Sequence, residues 1–201
     1  MKPHNTIGIV NYGAGNLFSL SAALEKQEID YGMVNSNEDL NNFDRIIIPG
    51  VGHASAAMSK LSKTGMLGEL VNLKKPILGI CLGMQMLTSY SAEGEQKLLN
   101  LIPLQTLDFA ESISLKIPHM GWNTVKIEKS CPLFKGIPDN SYFYFVHSYF
   151  VEYNSNFTTA SCNYGTTFSA ALQKDNFFGL QFHPEKSGDL GGRLLKNFSI
   201  I

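Results

Sequence analysis

The sequence predicts an α/β fold in which a mainly parallel central sheet is flanked by helices, with additional antiparallel strands in the second half. Before residue 81, short runs of Ile, Val and Leu alternate with helix-like stretches, as in βαβ units that build a buried parallel sheet. After residue 123, strand-like runs follow one another with only turns between them. With 201 residues and 44% hydrophobic content, we expect one domain over residues 1–201 with a sizeable core.

The first half divides into four strands and three helices. Strands are predicted over residues 7–10, 31–34, 45–48 and 76–80. Helices are predicted over residues 17–26, 53–60 and 65–73. Because ligands of such folds collect at the carboxyl ends of parallel strands, the residues that follow these strands should gather at one edge of the sheet.

The second half is predicted to hold five strands and a closing helix. The strands cover residues 124–127, 142–146, 159–163, 169–173 and 177–182, and the helix covers residues 190–198. The segment 118–123 holds the only tryptophan and is bounded by proline and glycine, so it is predicted to be a loop.

Charge and cysteine content argue against several classes of function. The 16 basic and 17 acidic residues form no long run of one sign, so no nucleic-acid partner is expected. No stretch is apolar for long enough to span a bilayer, and the first six residues precede no signal-peptide core, so we expect no membrane association and a cytoplasmic location. Cys81, Cys131 and Cys162 fit no metal-binding spacing and are expected to stay thiols without a metal.

Cys81 lies between Gly79 and Gly83, where an apolar run gives way to a helix-like one. This pattern is typical of a nucleophile elbow, in which a strained turn holds the nucleophile clear of the sheet. The following helix would point its free N–H groups at the sulfur and favour the thiolate. An isolated cysteine is more often a small buried hydrophobe, but the two glycines and the change from strand to helix favour a nucleophile.

His183 is the candidate base for this nucleophile. It follows an aromatic run and should lie at a strand end, Pro184 restricts its backbone, and Glu185 is close enough to accept from its second ring nitrogen. A histidine that merely ends a strand beside a surface glutamate is the simpler interpretation. His147, at the end of another strand, is a competing candidate, whereas His4, His53 and His119 have no comparable neighbours.

The glycine-rich segment Pro49-Gly50-Val51-Gly52 follows the third predicted strand. Its backbone could aim an N–H group at the oxygen of a tetrahedral intermediate, and its two glycines permit a peptide flip. Taken alone, it is more typical of a plain turn between a strand and a helix.

Five motifs together carry a resemblance to a known family. They are residues 79–85, 181–185 and 49–52, the segment Asn11-Tyr12-Gly13-Ala14-Gly15-Asn16, and the segment Pro118-His119-Met120-Gly121-Trp122-Asn123. The first three resemble class I (triad) glutamine amidotransferases, and the last two resemble the glutaminase subunits of imidazole glycerol phosphate synthases. The similarity runs from about residue 7 to residue 198.

The resemblance implies a fold, a reaction and a set of roles. The fold would be the flavodoxin-like fold of class I glutamine amidotransferases, and the reaction would be hydrolysis of L-glutamine without a cofactor. Cys81, His183 and Glu185 would form the triad, and the amides of Val51 and Leu82 would hold the oxyanion. The residues that contact the bound glutamine would be Gly50, Gly52, Gln85, His147, Ser148 and Tyr149.

The resemblance also implies a heterodimer with a cyclase subunit shaped as a (β/α)₈ barrel. Asn11, Asn16, Trp122 and Asn123 would face that partner, although a lone tryptophan is more often a core anchor. A partner is chemically sensible because ammonia released into neutral water becomes ammonium and loses its nucleophilicity.

One region departs from the family pattern and leaves the partner open. Residues 96–105 lack the glycines that the family carries after the elbow helix. The chain could therefore be a diverged paralogue that supplies ammonia for amidation of a nucleotide-linked surface sugar. Two other classes are a partner-independent cysteine hydrolase of γ-glutamyl compounds and a non-catalytic binding subunit. Gln85 and residues 147–149 argue against the hydrolase, and the complete set of Cys81, His183 and Glu185 argues against the binding subunit.

Overall fold

A nine-stranded mixed sheet forms the centre of the fold, and the computed structural model that contains it describes residues 6–201. Residues 1–5, which include His4 and most of the segment expected not to be a signal peptide, lie outside the described residues. The first half contains strands β1 (Ile7–Val10), β2 (Tyr31–Val34), β3 (Arg45–Ile48) and β4 (Ile77–Ile80), and helices α1 (Leu17–Lys26), α2 (Ala54–Lys63), α3 (Leu67–Asn72) and α4 (Leu82–Met86).

The second half is mostly strand. It contains β5 (Tyr90–Ser91), β6 (Gln96–Lys97), β7 (Gln105–Asp108), β8 (His119–Ile127), β9 (Ser141–His147), β10 (Tyr149–Val151), β11 (Thr158–Tyr164), β12 (Thr166–Lys174), β13 (Phe177–Leu180) and helix α5 (Gly188–Phe198). The large sheet has the order β2-β1-β3-β4-β13-β12-β11-β8-β9, and a smaller sheet has the order β10-β7-β5-β6. Neighbours from β2 to β13 are parallel, and those from β13 to β9 are antiparallel.

Helices cover both faces of the parallel half, which explains its uninterrupted apolar strands. In β3, Ile46 and Ile48 pack with α2 and α3 on one face, and Ile47 packs with α1 and α5 on the other. The side chains of a strand alternate between faces, so burial of both faces requires an apolar residue at every position. This arrangement confirms the predicted fold class.

The predicted elements of the first half are confirmed to within a few residues, and the second half differs in three respects. The segment 118–123 is not a loop, because β8 begins at His119 and pairs with β9 in an unbroken register from His119 to Val125. Strands β5, β6, β7 and β10 were not predicted, since strands of two to four residues leave little alternation to detect. Strand β13 ends at Leu180 instead of residue 182.

The carboxyl ends of β1, β3, β4 and β13 meet at one edge, because these four strands are parallel. Asn11, the 49–52 segment, Cys81 and the 181–185 segment follow these strands directly, so the predicted convergence is confirmed. None of the helices within residues 6–201 combines the length and apolarity needed to cross a bilayer.

Candidate active site

Cys81 forms the junction between β4 and α4. Its φ of 53° and ψ of −110° are values that an L residue rarely adopts, as expected for the sharp turn of a nucleophile elbow. The Cys81 amide donates to the Leu180 carbonyl at 2.7 Å, and the Cys81 carbonyl accepts from the Gln85 amide at 3.1 Å. Hydrogen bonds on both sides therefore hold the strained residue.

The glycines around Cys81 are required by close backbone approach. A Cβ atom on Gly83 would overlap the carbonyl oxygen of Ile48 in β3, and one on Gly79 would overlap the carbonyl oxygen of Gly83. A Cβ atom on Gly50 would lie 2.6 Å from the Gly83 amide nitrogen. Helix α4 has only five residues, so the amides of its first turn, rather than a long helix dipole, provide most of the positive potential near the sulfur.

His183 and Glu185 form a buried pair behind Cys81. Nδ1 of His183 lies 2.7 Å from Oε1 of Glu185, and the side chains are only 3% and 4% exposed. A carboxylate accepts, so Nδ1 donates, and Nε2 of His183 is left without a well-formed hydrogen bond among the described residues. The His183 amide donates to the Tyr144 carbonyl at 2.9 Å, which anchors the histidine to β9.

The environment of His183 favours the protonated ring. Burial lowers the pKa of His183, but the neighbouring Cys81 sulfur and the Glu185 carboxylate outweigh it and raise the pKa from 6.5 to about 10. At pH 7 the ring is therefore charged and can donate a proton from Nε2.

A cavity of about 460 Å³ opens above Cys81 and His183. Its other lining residues are Val51, Gly52, Leu82, Gln85, Glu93, Pro118, Val146, His147, Ser148 and Tyr149. These include every residue predicted to bind glutamine or the oxyanion except Gly50, which borders a much smaller cleft with Asn16 and Glu185.

Gln85 is connected to the nucleophile through Gln181, which lies in the 181–185 motif but was given no role by the sequence analysis. Nε2 of Gln85 donates to the Tyr149 carbonyl at 2.9 Å and to Oε1 of Gln181 at 3.1 Å. Nε2 of Gln181 in turn donates to the Cys81 sulfur at 3.8 Å. The available signal for Gln181 was an amide within the aromatic run 177–182, where a buried polar group needs partners.

Tyr12 secures the loop that carries Val51. Its buried hydroxyl donates to the Pro49 carbonyl at 2.8 Å, while Gly52 adopts a φ of 94° and Val51 is 44% exposed. The loop is thus fixed at its first residue and open at its tip. Tyr12 lies in the 11–16 motif but was given no role by the sequence analysis.

Glu93 is the carboxylate that lines the cavity, and it too was missed. Oε2 of Glu93 accepts from the Ala54 amide at 2.6 Å. A glutamate among hydrophilic residues between two short strands has no sequence pattern that distinguishes it from a surface residue.

His147 is placed differently from His183. Both of its ring nitrogens are occupied, Nδ1 by the Tyr149 carbonyl at 2.8 Å and Nε2 by Nδ1 of His119 at 2.9 Å. Burial lowers the pKa of His147 to about 3, with a smaller effect from His119 and His183. The geometry favours His183 as the base. His119 has no neighbouring carboxylate in sequence, but the fold gives it His147 as a hydrogen-bond partner.

The four residues predicted to face a partner lie outside the large cavity. Nδ2 of Asn11 donates to Oδ1 of Asn35, and Asn16 caps helix α1 through the Ser19 amide. Trp122 is 56% exposed, whereas Nδ2 of Asn123 hydrogen-bonds inward to His119. Among residues 6–201, no three His, Cys, Asp or Glu side chains are grouped closely enough to hold a metal ion.

Comparison with known proteins identifies the family. The model of the family described as glutamine amidotransferase class-I matches residues 8–201. The chain belongs to the class I glutamine amidotransferases. Curated relatives of this amidotransferase include the imidazole glycerol phosphate synthase subunit HisH of Haemophilus influenzae, 46% identical over 96% of both chains. A subunit of the same name from Bacteroides fragilis is 44% identical over 96% of this chain and 97% of the relative.

A solved structure agrees with this family at the level of fold. The structure titled PurLQS from Thermotoga maritima superposes with a TM-score of 0.74 over 98% of both chains, at 20% sequence identity. This class I amidotransferase is therefore an enzyme of known fold, with the elbow cysteine lining the cavity of about 460 Å³.

Proposed function

We propose that this chain, acting as one domain, is a glutaminase subunit that hydrolyses L-glutamine and passes the ammonia to a (β/α)₈-barrel cyclase subunit. The cyclase would make imidazole glycerol phosphate and AICAR in histidine biosynthesis. The observation that carries the proposal is the strained Cys81 beside His183, with the His183–Glu185 pair at 2.7 Å. The names of relatives that are 44–46% identical support the histidine pathway.

In the proposed reaction the Cys81 thiolate attacks the side-chain amide carbon of glutamine. The amides of Val51 and Leu82 would hold the oxyanion, and protonated His183 would give its Nε2 proton to the leaving nitrogen, which departs as ammonia. A γ-glutamyl thioester remains on Cys81. His183, now neutral, takes a proton from water, the resulting hydroxide attacks the thioester, and glutamate leaves.

The cavity walls offer contacts to the amino-acid end of the substrate. Gln85, Gly52 and the backbone of residues 147–149 would hold the amino-acid end of glutamine. The Glu93 carboxylate lines the same cavity and would pair with the substrate ammonium group. Gly50, which borders the smaller cleft, would act by letting the loop approach Gly83 closely.

The proposed partner surface lies on the outer face of β8 and β9. Met120, Trp122 and Tyr142 are 60%, 56% and 60% exposed, and the Trp122 and Tyr144 rings are 6.1 Å apart. Exposed aromatic residues grouped on one face of a sheet are typical of protein interfaces. Asn11 and Asn16 would extend this surface from the loop after β1, whereas Asn123 would act beneath it.

The test is glutamate release from L-glutamine by the chain alone and with its organism's imidazole-forming cyclase, with and without the cyclase's nucleotide substrate. The cyclase should raise the rate of glutamate release by the wild-type chain, because the Val51 loop is open at its tip. Cys81→Ala should reduce the rate by more than about 100-fold, since it removes the nucleophile. Cys162→Ala is the matched control, because Cys162 is equally buried and burial raises the pKa of its thiol to about 12.

Other outcomes would redirect the proposal. A Cys81→Ala rate within tenfold of wild type would contradict the mechanism. Turnover that depends on Cys81 but ignores the cyclase would favour the diverged paralogue that amidates a surface sugar. Partner-independent cleavage of γ-glutamyl compounds other than glutamine would favour the cysteine hydrolase.

A further inference from the structure

A second pair of buried histidines lies outside the triad. His119 at the start of β8 and His147 at the end of β9 are cross-strand neighbours, and the structure leaves them 3% and 6% exposed. Nδ1 of His119 lies 2.9 Å from Nε2 of His147. The proposed reaction uses only the backbone of His147 and does not use His119 at all.

The Tyr149 carbonyl determines which ring nitrogen of His147 carries the hydrogen. Nδ1 of His147 faces the Tyr149 carbonyl at 2.8 Å, and a carbonyl can only accept, so Nδ1 is protonated. Burial lowers the pKa of His147 to about 3, which leaves the ring neutral at pH 7 and its Nε2 an acceptor. His119 must then donate from Nδ1.

The contacts of Asn123 lead independently to the same assignment for His119. Oδ1 of Asn123 accepts from the Thr124 amide at 2.8 Å, and Nδ2 of Asn123 donates to the Asn163 carbonyl at 3.1 Å. These contacts fix the orientation of the amide, which directs Nδ2 to Nε2 of His119 at 3.2 Å. His119 therefore accepts at Nε2 and donates at Nδ1.

The chain of hydrogen bonds continues into the cavity. The Tyr149 carbonyl that accepts from His147 also accepts from Gln85, and Gln85 and Gln181 lead to the Cys81 sulfur. Tyr149 and Gln85 both line the cavity. A continuous series of hydrogen bonds thus connects Asn123, beneath the proposed partner surface, with the nucleophile, and the two directions of donation meet at the Tyr149 carbonyl.

Aromatic rings enclose the two histidines. The His119 ring stacks on Phe145 and Tyr164, with centroids 4.8 and 4.1 Å away, and Phe109 and Phe168 pack against both histidines. Water has little access to such an enclosure, so a hydrogen bond lost here is not readily replaced by solvent.

We propose that His119 is a positioning residue for glutamine binding, which holds the turn 147–149 and the Gln85 amide in place by donating a hydrogen bond to His147. The inference rests on the proposed glutaminase function for its ligand. Ser148 lies between the end of β9 and the start of β10, which belong to different sheets, so the turn has no regular strand pairing of its own at that residue. The Phe109 amide donates to the Ser148 carbonyl at 3.1 Å, and the His147 side chain adds a second constraint by binding the backbone two residues ahead.

Two variants separate the hydrogen bond from the packing. His119→Phe keeps the aromatic stacking and removes the donor, whereas His119→Asn keeps a donor near the Nδ1 position and removes the stacking. In a Cys81→Ala background, which prevents turnover, calorimetry should show the dissociation constant for L-glutamine rising about tenfold in His119→Phe. In His119→Asn it should stay within about threefold of the parent.

The opposite ranking, with glutamine binding intact in His119→Phe and weakened in His119→Asn, would overturn the inference and assign His119 to core packing. No glutamine binding by the Cys81→Ala parent would instead contradict the proposed function.

A measurement on the wild-type chain needs neither a variant nor a ligand. Long-range ¹H–¹⁵N NMR spectra at pH 7 should show both His119 and His147 as neutral rings protonated at Nδ1. A ring protonated at Nε2 at either position would overturn the inference, whatever the glutamine result.

Discussion

His183 and His147 border one cavity, yet their surroundings drive them to opposite charge states. The neighbouring Cys81 sulfur and the Glu185 carboxylate raise the pKa of His183 to about 10 against the opposing effect of burial. Burial in an aromatic enclosure lowers the pKa of His119 to about 4 and that of His147 to about 3. A charged proton donor and a neutral positioning pair thus arise from the same residue type.

These shifts predict how stability depends on pH. Below about pH 6.5, His119 and His147 bind fewer protons in the folded chain than in the unfolded chain. Their contribution to the free energy of unfolding is therefore lost as the pH falls below about 6.5. His183 has the opposite sign, because its raised pKa stabilises the folded state below about pH 6.5 and this effect is lost as the pH rises towards 10. His119→Phe should therefore lose unfolding free energy less steeply than wild type between pH 7 and pH 5 in urea titrations.

The control is His53→Asn, which changes an exposed histidine and retains a side chain able to cap α2. It should follow the wild-type dependence on pH. Equal slopes for wild type and His119→Phe would mean that His119 does not resist protonation in the folded chain.

At the scale of elements, the elbow depends on how closely α4 approaches β3. Gly83 is the contact point, since its Cα atom lies against the Ile48 carbonyl with no room for a methyl group. The approach brings the Leu82 amide, Cys81 and the 49–52 loop to the same cavity. Gly83 therefore determines both the packing of α4 on β3 and the geometry of the candidate oxyanion site.

Gly83→Ala should lower the free energy of unfolding by about 3 kcal/mol, because the backbone of β3 or α4 must move to admit the Cβ atom. Glutaminase activity should fall further than stability explains, since the movement displaces the Leu82 amide. Urea unfolding and glutamate release measure the two effects.

Gly68→Ala is the matched control for this substitution. Gly68 is an exposed helical glycine with nothing within 4 Å of an added Cβ atom. Alanine there should leave activity unchanged and stabilise the chain slightly, by up to about 1 kcal/mol. If Gly83→Ala were as stable and active as Gly68→Ala, close packing of α4 on β3 would not be required.

At the scale of the whole molecule, the antiparallel half carries the proposed partner surface to the mouth of the active site. Strand β9 is the edge strand at one end of the large sheet and β8 is its neighbour, with Met120, Trp122 and Tyr142 exposed on one face. The opposite face of the same strands holds His119 and Asn123, which connect to the cavity. A partner docked on the outer face would therefore be separated from the hydrogen-bonded series only by the backbone of β8 and β9.

Trp122→Ala should weaken binding of the cyclase subunit by about 30-fold, corresponding to about 2 kcal/mol. This is typical for an aromatic side chain that becomes buried when the partner binds. Its effect on the unfolding free energy should be small, because the side chain is mostly exposed in the isolated chain. Titration of labelled chain with the cyclase measures the affinity.

Ile200→Ser is a suitable control for the binding experiment, since Ile200 is 60% exposed, close to the 56% of Trp122, but lies beyond α5. It should leave cyclase affinity unchanged. Equal affinity for wild type and Trp122→Ala would move the proposed interface away from β8 and β9.

The sequence alone determined the features that depend on neighbours along the chain. Apolar runs, helical spacing and glycine pairs are local, so they predicted the α/β class, most strands, the elbow at Cys81 and the joining of His183 with Glu185. Parallel pairing then required the residues after β1, β3, β4 and β13 to share one edge.

Only the tertiary structure decided the features that depend on residues far apart in sequence. Residues 118–123 look like a loop until β9 pairs with them, and His119 has no partner until that pairing brings it to His147. Gln181, Tyr12 and Glu93 likewise acquire their positions through contacts with distant segments. Such contacts leave no local periodicity, because their energy comes from burial and hydrogen bonding between elements rather than from the conformational preference of either segment.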